Sequence, residues 1–173
     1  MFNVGDKVVY PMHGAGIIEA IEEKNMLGEA QNYYIIKMAT DGVKAMIPIN
    51  KADNVGIREI ASENDYKNVF SILEAPMHDL TLDTNWNKRY QSNVDKIKSG
   101  KIDEVTEVFK DLSHRHMEKG LSLAEKKMLT TSKSILLSEL VLLKEDDDNV
   151  IDNMIEETVK NSFATYMEPK VEI

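Results

Sequence analysis

Apolar and polar positions alternate along the first sixty residues, which is the pattern of strands with one buried face. The dipeptide at positions 41–42, Asp-Gly, predicts a tight turn between the last two strands. Strands are predicted over residues 7–11, 14–24, 32–39 and 43–50. Four or five short strands joined by tight turns predict a small barrel or a curled sheet.

The fourth predicted strand has features of a sheet edge. One side of it carries Val43, Ala45 and Ile47, and the other carries Lys44, Met46 and Pro48. Proline cannot donate a backbone hydrogen bond to a central strand pair, so Pro48 predicts that this strand leaves one edge exposed.

After residue 60 the apolar residues recur at helical spacing. In the segment 86–100 the apolar stripe consists of Trp86, Tyr90, Val94 and Ile97. Asp83 or Thr84 is expected to cap the start of this helix, and Gly100 is expected to end it. Helices are predicted over residues 64–75, 86–100, 101–119, 122–145 and 150–163.

Strands followed by helices indicate an α+β fold and not a parallel α/β sheet. We predict a β module over residues 1–60, a helical domain of about five helices over residues 61–165, and a frayed tail over residues 166–173.

Composition excludes several classes of site. The chain has 173 residues, of which 42% are hydrophobic and 29% charged, and it has no cysteine. The lack of cysteine excludes disulfides and thiolate zinc sites. The N-terminal segment lacks the pattern of a signal peptide, and no window approaches the roughly 20 apolar residues of a membrane span. We therefore expect a cytoplasmic protein.

Catalytic motifs are absent from the sequence. It has no phosphate-binding loop of the GxxxxGK[ST] type, no GxGxxG and no GxSxG. His114 and His116 are two residues apart on a predicted helix and point in different directions, so they are expected to be solvated residues and not metal ligands. His13 is interpreted as a structural residue in a turn. The chain is predicted not to be an enzyme and to hold no cofactor or metal.

Charge is segregated along the chain, whose total net charge is −9. Residues 1–80 carry a net charge of −5, residues 81–133 carry +3, and residues 134–173 carry −7. Fields act locally, within a Debye length of about 8–10 Å. A basic middle is therefore compatible with a face that binds phosphate, in spite of the negative total.

Several segments carry a resemblance to a known family. They are VGDKVVYPMHGAGIIEAIE (4–22), YYIIKM (33–38), MIPI (46–49), VGIRE (55–59), APMHDLTLDTNWNKRY (75–90), KIKSGKIDEVTEVFKDL (96–112) and KGLSLAEKKMLTTSKSILLSEL (119–140). In this order they resemble the CarD-like bacterial transcription regulators. A similar N-terminal module occurs in the transcription-repair coupling factor, but that protein is a long helicase, and this short chain lacks a phosphate loop.

The resemblance implies an adaptor with two contacts. A Tudor-like or SH3-like β module would bind the lobe of the RNA polymerase β subunit. The helical domain would contact promoter DNA, with Trp86 wedged into the minor groove at the upstream edge of the transcription bubble to stabilise the open complex. The protein is expected to act as a monomer. The alternative is a protein-interaction module whose helical domain is structural and has no role on DNA.

The polymerase contact implied by the resemblance falls on the edge strand and the preceding hairpin. Its candidate residues are Lys24, Lys44, Met46, Ile47 and Pro48. Some relatives have an arginine at the position of Met46, so this chain is expected to offer packing there in place of a charge.

The DNA contact implied by the resemblance falls on Trp86 and on two basic helix starts. A helix N-terminus supplies free N–H groups and a positive dipole end, both suited to phosphate. The candidate residues are Trp86, Asn87, Lys88, Arg89, Lys126, Lys127 and Lys133. Few of these side chains are suited to reading base edges, so the binding is expected to be largely independent of sequence.

Overall fold

A computed structural model describes residues 1–76 and 85–167. Five strands come first: β1 (Lys7–Tyr10), β2 (Gly14–Met26), β3 (Glu29–Met38), β4 (Lys44–Pro48) and β5 (Arg58–Glu59). A 3-10 turn (Ile49–Lys51) and a short helix, α1 (Ala52–Val55), lie between β4 and β5. The helical domain contains α2 (Glu63–Glu74), α3 (Trp86–Ser99), α4 (Ile102–Glu118), α5 (Leu123–Lys144) and α6 (Asp148–Met167).

The strands form one sheet in the order β4-β3-β2-β1-β5, with antiparallel pairing throughout. Among the residues that the structure describes, β4 pairs only with β3, through a register that places Tyr33 opposite Pro48. The predicted exposed edge is therefore confirmed. The side chains of the inner face, among them Val8, Ile18, Tyr34 and Ile36, form the core of the β module.

Two different turns join β2, β3 and β4. Met26 pairs with Glu29, so only Leu27 and Gly28 form the first turn, and both have a positive φ, of 56° and 88°. This is the backbone of the two-residue hairpin turn that matches strand twist. The predicted turn at positions 41–42 is present, within a longer connection in which the Gly42 N–H donates to the Met38 carbonyl at 3.2 Å.

The helical domain forms a second core, to which α2 to α6 all contribute. The five predicted helices are present, with starts and ends within two residues of the prediction for the first four. The last helix is longer than the predicted 150–163, because Asp148 already lies in its first turn and it continues to Met167. Residues 166–167, assigned to a frayed tail, are thus helical, and the rest of that tail lies outside the described residues.

The start of α3 differs from the prediction. Asp83 and Thr84, the expected caps, lie outside the described residues. The N-cap is Asn85, whose side-chain oxygen accepts from the Lys88 N–H at 3.1 Å. Asparagine is among the best N-cap residues because its short side chain reaches the free N–H groups of the first turn.

Within the described ranges, 1–76 and 85–167, no helix combines the length and the apolar character that a bilayer span requires.

Candidate functional site

The ring of Trp86 is supported on one side and accessible on the other. Trp86 is the first residue of α3, and its ring stacks on Tyr90 one turn later, with the centroids 4.9 Å apart and the planes at 15°. Tyr90 packs in turn against the core of the helical domain. Trp86 nevertheless remains 40% exposed. The i, i+4 stack holds the indole in one orientation and leaves part of it free for a ligand.

The residues beside Trp86 are solvent-exposed. Asn87 and Lys88 lie in the first turn of α3, and both side chains are exposed. None of the ion pairs among the described residues involves Lys88. Its ammonium group is therefore placed to meet an anion from solvent, next to the Trp86 ring.

Arg89 has a protein partner in place of the expected phosphate. Its Nε donates to Glu125 Oε1 at 2.9 Å, its Nη2 forms an ion pair with the same oxygen at 2.7 Å, and the two side chains are only 13% and 3% exposed. A buried carboxylate requires such a partner, since unpaired burial of a charge is costly. Arg89 therefore has a structural role, and we do not include it among the proposed DNA contacts.

Glu125 is also the third residue of a capping box at the start of α5. Its carboxylate accepts from the Ser122 N–H, and its own N–H donates to Ser122 Oγ. Burial opposes ionisation of this carboxyl most strongly, but the hydrogen bonds from Arg89 and Ser122 together outweigh it and hold the pKa of Glu125 below its usual range. The Arg89–Glu125 pair thus joins the first turns of α3 and α5.

This junction brings two basic helix starts side by side. Lys126 and Lys127 lie in the first turn of α5 and are exposed, as Lys88 is on α3. Leu123, the first residue of α5, is 85% exposed. The sequence analysis missed Leu123, although an apolar residue directly after a capping serine is visible as a signal. We use the name basic ridge for the exposed residues of these two helix starts: Trp86, Lys88, Leu123, Lys126 and Lys127.

Lys133 lies elsewhere and is already neutralised. Its Nζ forms ion pairs with Asp152 and Glu156 of α6, both at 2.8 Å. Burial is the largest single effect and lowers the pKa of Lys133. The two carboxylates together have a larger effect in the opposite direction, so the pKa of Lys133 is raised. Lys133 ties α5 to α6, and we do not include it among the proposed DNA contacts.

On β4 the side chains alternate as predicted, but one candidate residue faces inward. Met46 is 44% exposed, whereas Ile47 is 3% exposed and packs in the core of the β module. The Ile47 side chain therefore cannot contact a partner, and only its backbone lies at the free edge. Pro48 is half-buried at the end of the strand.

Both candidate lysines of the β module are paired with acidic neighbours. Lys44 Nζ lies 2.7 Å from Glu19, and Lys24 Nζ lies 3.0 Å from Glu22. The hydrogen bond from Lys44 is the largest effect that lowers the pKa of Glu19. Both pairs are exposed, and exposed pairs exchange readily with other partners because each is worth little in water.

The outer face of the sheet has an apolar centre. The register places Ile35 opposite Met46 on one side and opposite Ala20 on the other. Ile35 is only 6% exposed, although it lies on the solvent side, because its neighbours cover it. Met46 therefore lies at the boundary between this apolar centre and the free edge of β4.

One predicted histidine environment is wrong. His114 is fully buried, and its Nε2 lies 2.9 Å from Ser162 Oγ of α6. Helical spacing predicts that two neighbours diverge, but not which of them faces the adjacent helix. His116 is exposed as expected, and the His13 ring packs against Tyr10 with centroids 4.2 Å apart and the planes tilted by 35°. In the part of the chain that the structure describes, no three acidic or histidine side chains converge on a possible metal position.

Comparisons with known proteins match both parts of the chain. The family model for the CarD C-terminal domain matches residues 68–156, and the model for the CarD-like/TRCF RID domain matches residues 2–61. "Putative transcription factor YdeB" of Bacillus subtilis (strain 168) is 45% identical over 144 residues, which are 83% of this chain and 93% of that protein.

Among solved structures, "CdnLNt from Myxoccoccus xanthus" shares 44% sequence identity. It covers 36% of this chain and 89% of its own, with a TM-score of 0.32. The assignment rests on the sequence matches, of which the C-terminal family model alone spans more than half of the chain. The predicted architecture, a Tudor-like β module followed by helices, is confirmed. The chain belongs to the CarD-like family of non-catalytic transcription regulators, and this confirms the prediction that it is not an enzyme.

Proposed function

We propose that this protein regulates transcription initiation in the cytoplasm by bridging RNA polymerase and promoter DNA as a monomer. The β module would bind the lobe of the polymerase β subunit, and the basic ridge would contact the minor groove at the upstream edge of the bubble. The observation that carries this proposal is the Trp86 ring, which is stacked on Tyr90 and is still 40% exposed.

The Trp86 ring has the properties of a wedge. An apolar side chain inserted between base steps must keep its orientation while it displaces a base, and the Tyr90 stack supplies that rigidity. Stacking of one base on an aromatic ring is worth about 1–3 kcal/mol. This corresponds to about 5- to 150-fold in the equilibrium between closed and open promoter.

Phosphate contacts would hold the duplex against the wedge. Lys88, Lys126 and Lys127 are exposed in the first turns of two adjoining helices, where the helix dipole also favours anions. Asn87 is exposed beside the ring and can donate to the acceptors of the minor groove. Contacts of this kind position the protein on DNA without reading much sequence.

The polymerase contact would use the free edge of β4. An unpaired edge strand offers backbone N–H and C=O groups to an extended segment of a partner, while the outward side chains give specificity. Here the outward chains are Lys44 and Met46, next to the apolar outer face of the sheet. Polymerase binding would raise the local concentration of promoter DNA at the ridge, so weak DNA affinity suffices.

The test is the lifetime of open complexes on a promoter that opens incompletely, measured with Trp86→Ala. We expect the lifetime gain given by the wild-type protein to fall by about 5- to 150-fold, with polymerase binding unchanged. Tyr166→Ala is a matched control, since Tyr166 is an aromatic residue of similar exposure, 44%, on α6. An unchanged lifetime for the folded, polymerase-bound Trp86→Ala protein would exclude the wedge.

One observation favours a second function. Much of the positive charge of the helical domain is neutralised internally, as in the pairs of Lys96 with Glu107 and of Lys144 with Glu63. This is what a protein-interaction module with a structural helical domain and no DNA role would show. A polymerase–promoter affinity gain that does not change with salt would favour this alternative, since phosphate contacts release counterions.

A further inference from the structure

The two modules are joined by the guanidinium group of Arg58, on the last strand of the β module. Its Nη1 and Nη2 donate to Glu139 Oε1 and Oε2 of α5, at 2.7 Å and 3.0 Å. Its Nε and Nη2 also donate to the carbonyl of Gly100, at the junction of α3 and α4, at 2.9 Å and 2.6 Å. One side chain thus connects β5, α5 and the end of the helix that begins with Trp86.

Glu139 is committed to this junction. It is 1% exposed, and its Oε1 also accepts from the backbone N–H of Ala61 at 2.7 Å, in the short segment that joins β5 to α2. A carboxylate buried so completely is tolerated only when its hydrogen bonds are made. The Glu139 carboxylate therefore holds both Arg58 of β5 and the segment that connects the two modules.

Two further contacts along α5 reinforce the junction. The Ala15 N–H of β2 donates to Ser138 Oγ at 2.8 Å, and both groups are buried. A turn later, Lys7 of β1 donates to the Leu142 carbonyl at 2.9 Å and pairs with Glu145. The β module is therefore attached to α5 at Ser138, Glu139 and Leu142, and the contact at Glu139 is the one that also holds the segment between the modules.

The geometry points to Arg58 and Glu139 as positioning residues that lock the two modules into one rigid body. This inference rests on the proposed function and adds to it that bridging requires a fixed geometry. A flexible tether would raise the local concentration of DNA at the ridge but would let Trp86 swing away from the bubble edge. When Arg58 and Glu139 hold the two modules in one arrangement, the position of the β module on polymerase also determines where Trp86 meets the DNA.

The lock is tested by removing both charges together, in the double variant Arg58→Gln, Glu139→Gln, so that neither is left buried and unpaired. We expect affinities for the isolated polymerase β lobe and for a short duplex to stay within about twofold, while the gain in open-complex lifetime falls about fivefold or more. Glu63→Gln is the matched control, because it removes an ion pair of 2.9 Å between two helices of the same domain.

The rigidity itself is measured without polymerase. The chain has no cysteine, so Asn32→Cys on β3 and Asn153→Cys on α6 provide unique sites for spin labels on the two modules. We expect a narrow distance distribution in the otherwise wild-type protein and a broad one in the double variant. In a double variant without the two labelling cysteines, a short bismaleimide that joins Lys7→Cys to Glu145→Cys should restore the open-complex lifetime, since it replaces the lock by a covalent link.

The possible outcomes separate the two proposals. An unchanged distance distribution, or an unchanged lifetime, in the folded double variant would overturn the lock. If Trp86→Ala leaves the lifetime unchanged, the wedge fails, and the spin-label distances still decide whether the lock exists. If the double variant does not fold, Arg58→Lys replaces it: lysine keeps the charge for Glu139 but cannot form the forked contact with Gly100. If the distribution of spin-label distances in the Arg58→Lys variant is as narrow as in the wild type, the lock is equally overturned.

Discussion

The carboxylate of Glu125 accepts a hydrogen bond from Arg89 Nε and forms an ion pair with Arg89 Nη2, and this buried pair connects the first turn of α5 to the first turn of α3. Trp86 lies one turn before Arg89 on the same helix. The position of the exposed indole is thus determined by a contact made three residues away, which leads to the first prediction.

Arg89→Gln is expected to lower the free energy of unfolding by about 2–3 kcal/mol, because it leaves the Glu125 carboxylate buried without its cation. Trp86 is the single tryptophan, so its fluorescence reports on the site directly. The anisotropy of Trp86 should fall as the start of α3 loosens. Lys88→Gln is the control: it neutralises the adjacent, exposed residue and should change stability by no more than about 0.5 kcal/mol. Equal stability of the two variants would contradict the assigned role of Arg89.

The Arg89–Glu125 pair should also be sensitive to acid. The pKa of Glu125 is lower in the folded protein than the ordinary value of 4.5 for a glutamate carboxyl. The pair therefore contributes stability above that value and loses it as the pH falls through the folded-state pKa. Unfolding free energies of the wild type and Glu125→Gln, measured from pH 7 downward, should converge below about pH 4.5. Other carboxyls titrate in both proteins and cancel in the difference. A constant gap down to low pH would show that the charge of Glu125 has no such role.

Met46 and Ile47 are neighbours with opposite orientations, so alanine at each should give opposite results. Met46→Ala is expected to weaken binding to the polymerase β lobe by about 1–2 kcal/mol with little change in stability, because its side chain is exposed. Ile47→Ala should instead cost about 2–4 kcal/mol of stability, because it opens a cavity in the core. Calorimetric binding and chemical denaturation of both variants distinguish these effects. Loss of lobe binding by a fully folded Ile47→Ala protein would contradict the assigned faces.

The salt dependence of DNA binding counts the phosphate contacts. If Lys88, Lys126 and Lys127 each neutralise one phosphate, the log–log slope of affinity against salt concentration should be about −2.7. Lys88→Gln should reduce the magnitude of this slope by about 1. Lys133→Gln should leave it unchanged, since Lys133 already pairs with two carboxylates. If Lys133→Gln also reduced the magnitude of the slope, Lys133 would be a DNA contact.

Much of the fold could be predicted because the relevant signals are local. Alternation over two residues identifies strands, and recurrence over three or four residues identifies helices, independently of what they pack against. The Trp86–Tyr90 stack follows from the same rule, since residues four apart on a helix are neighbours. Pro48 likewise predicted an exposed edge from its missing N–H alone.

The alternation at β4 shows the limit of such signals. It placed Ile47 on the opposite side from Met46, but a period of two does not say which side faces the core. That was decided by the packing of the β module, whose core contains Ile47 together with Tyr34 and Ile36. The same limit applies to His114 on α4. Helical spacing does not predict its burial, because that depends on the position of α6.

By itself, the sequence determined the types of the main strands and helices, most of their bounds, the family, and the aromatic residue at the start of α3. Only the tertiary structure decided which charges remain available. Arg89, Lys133 and Arg58 are equally basic in sequence, but their partners Glu125, Asp152 and Glu139 lie between 19 and 81 positions away along the chain. A charge pair forms where folding brings two side chains within about 4 Å, and no local pattern encodes that distance.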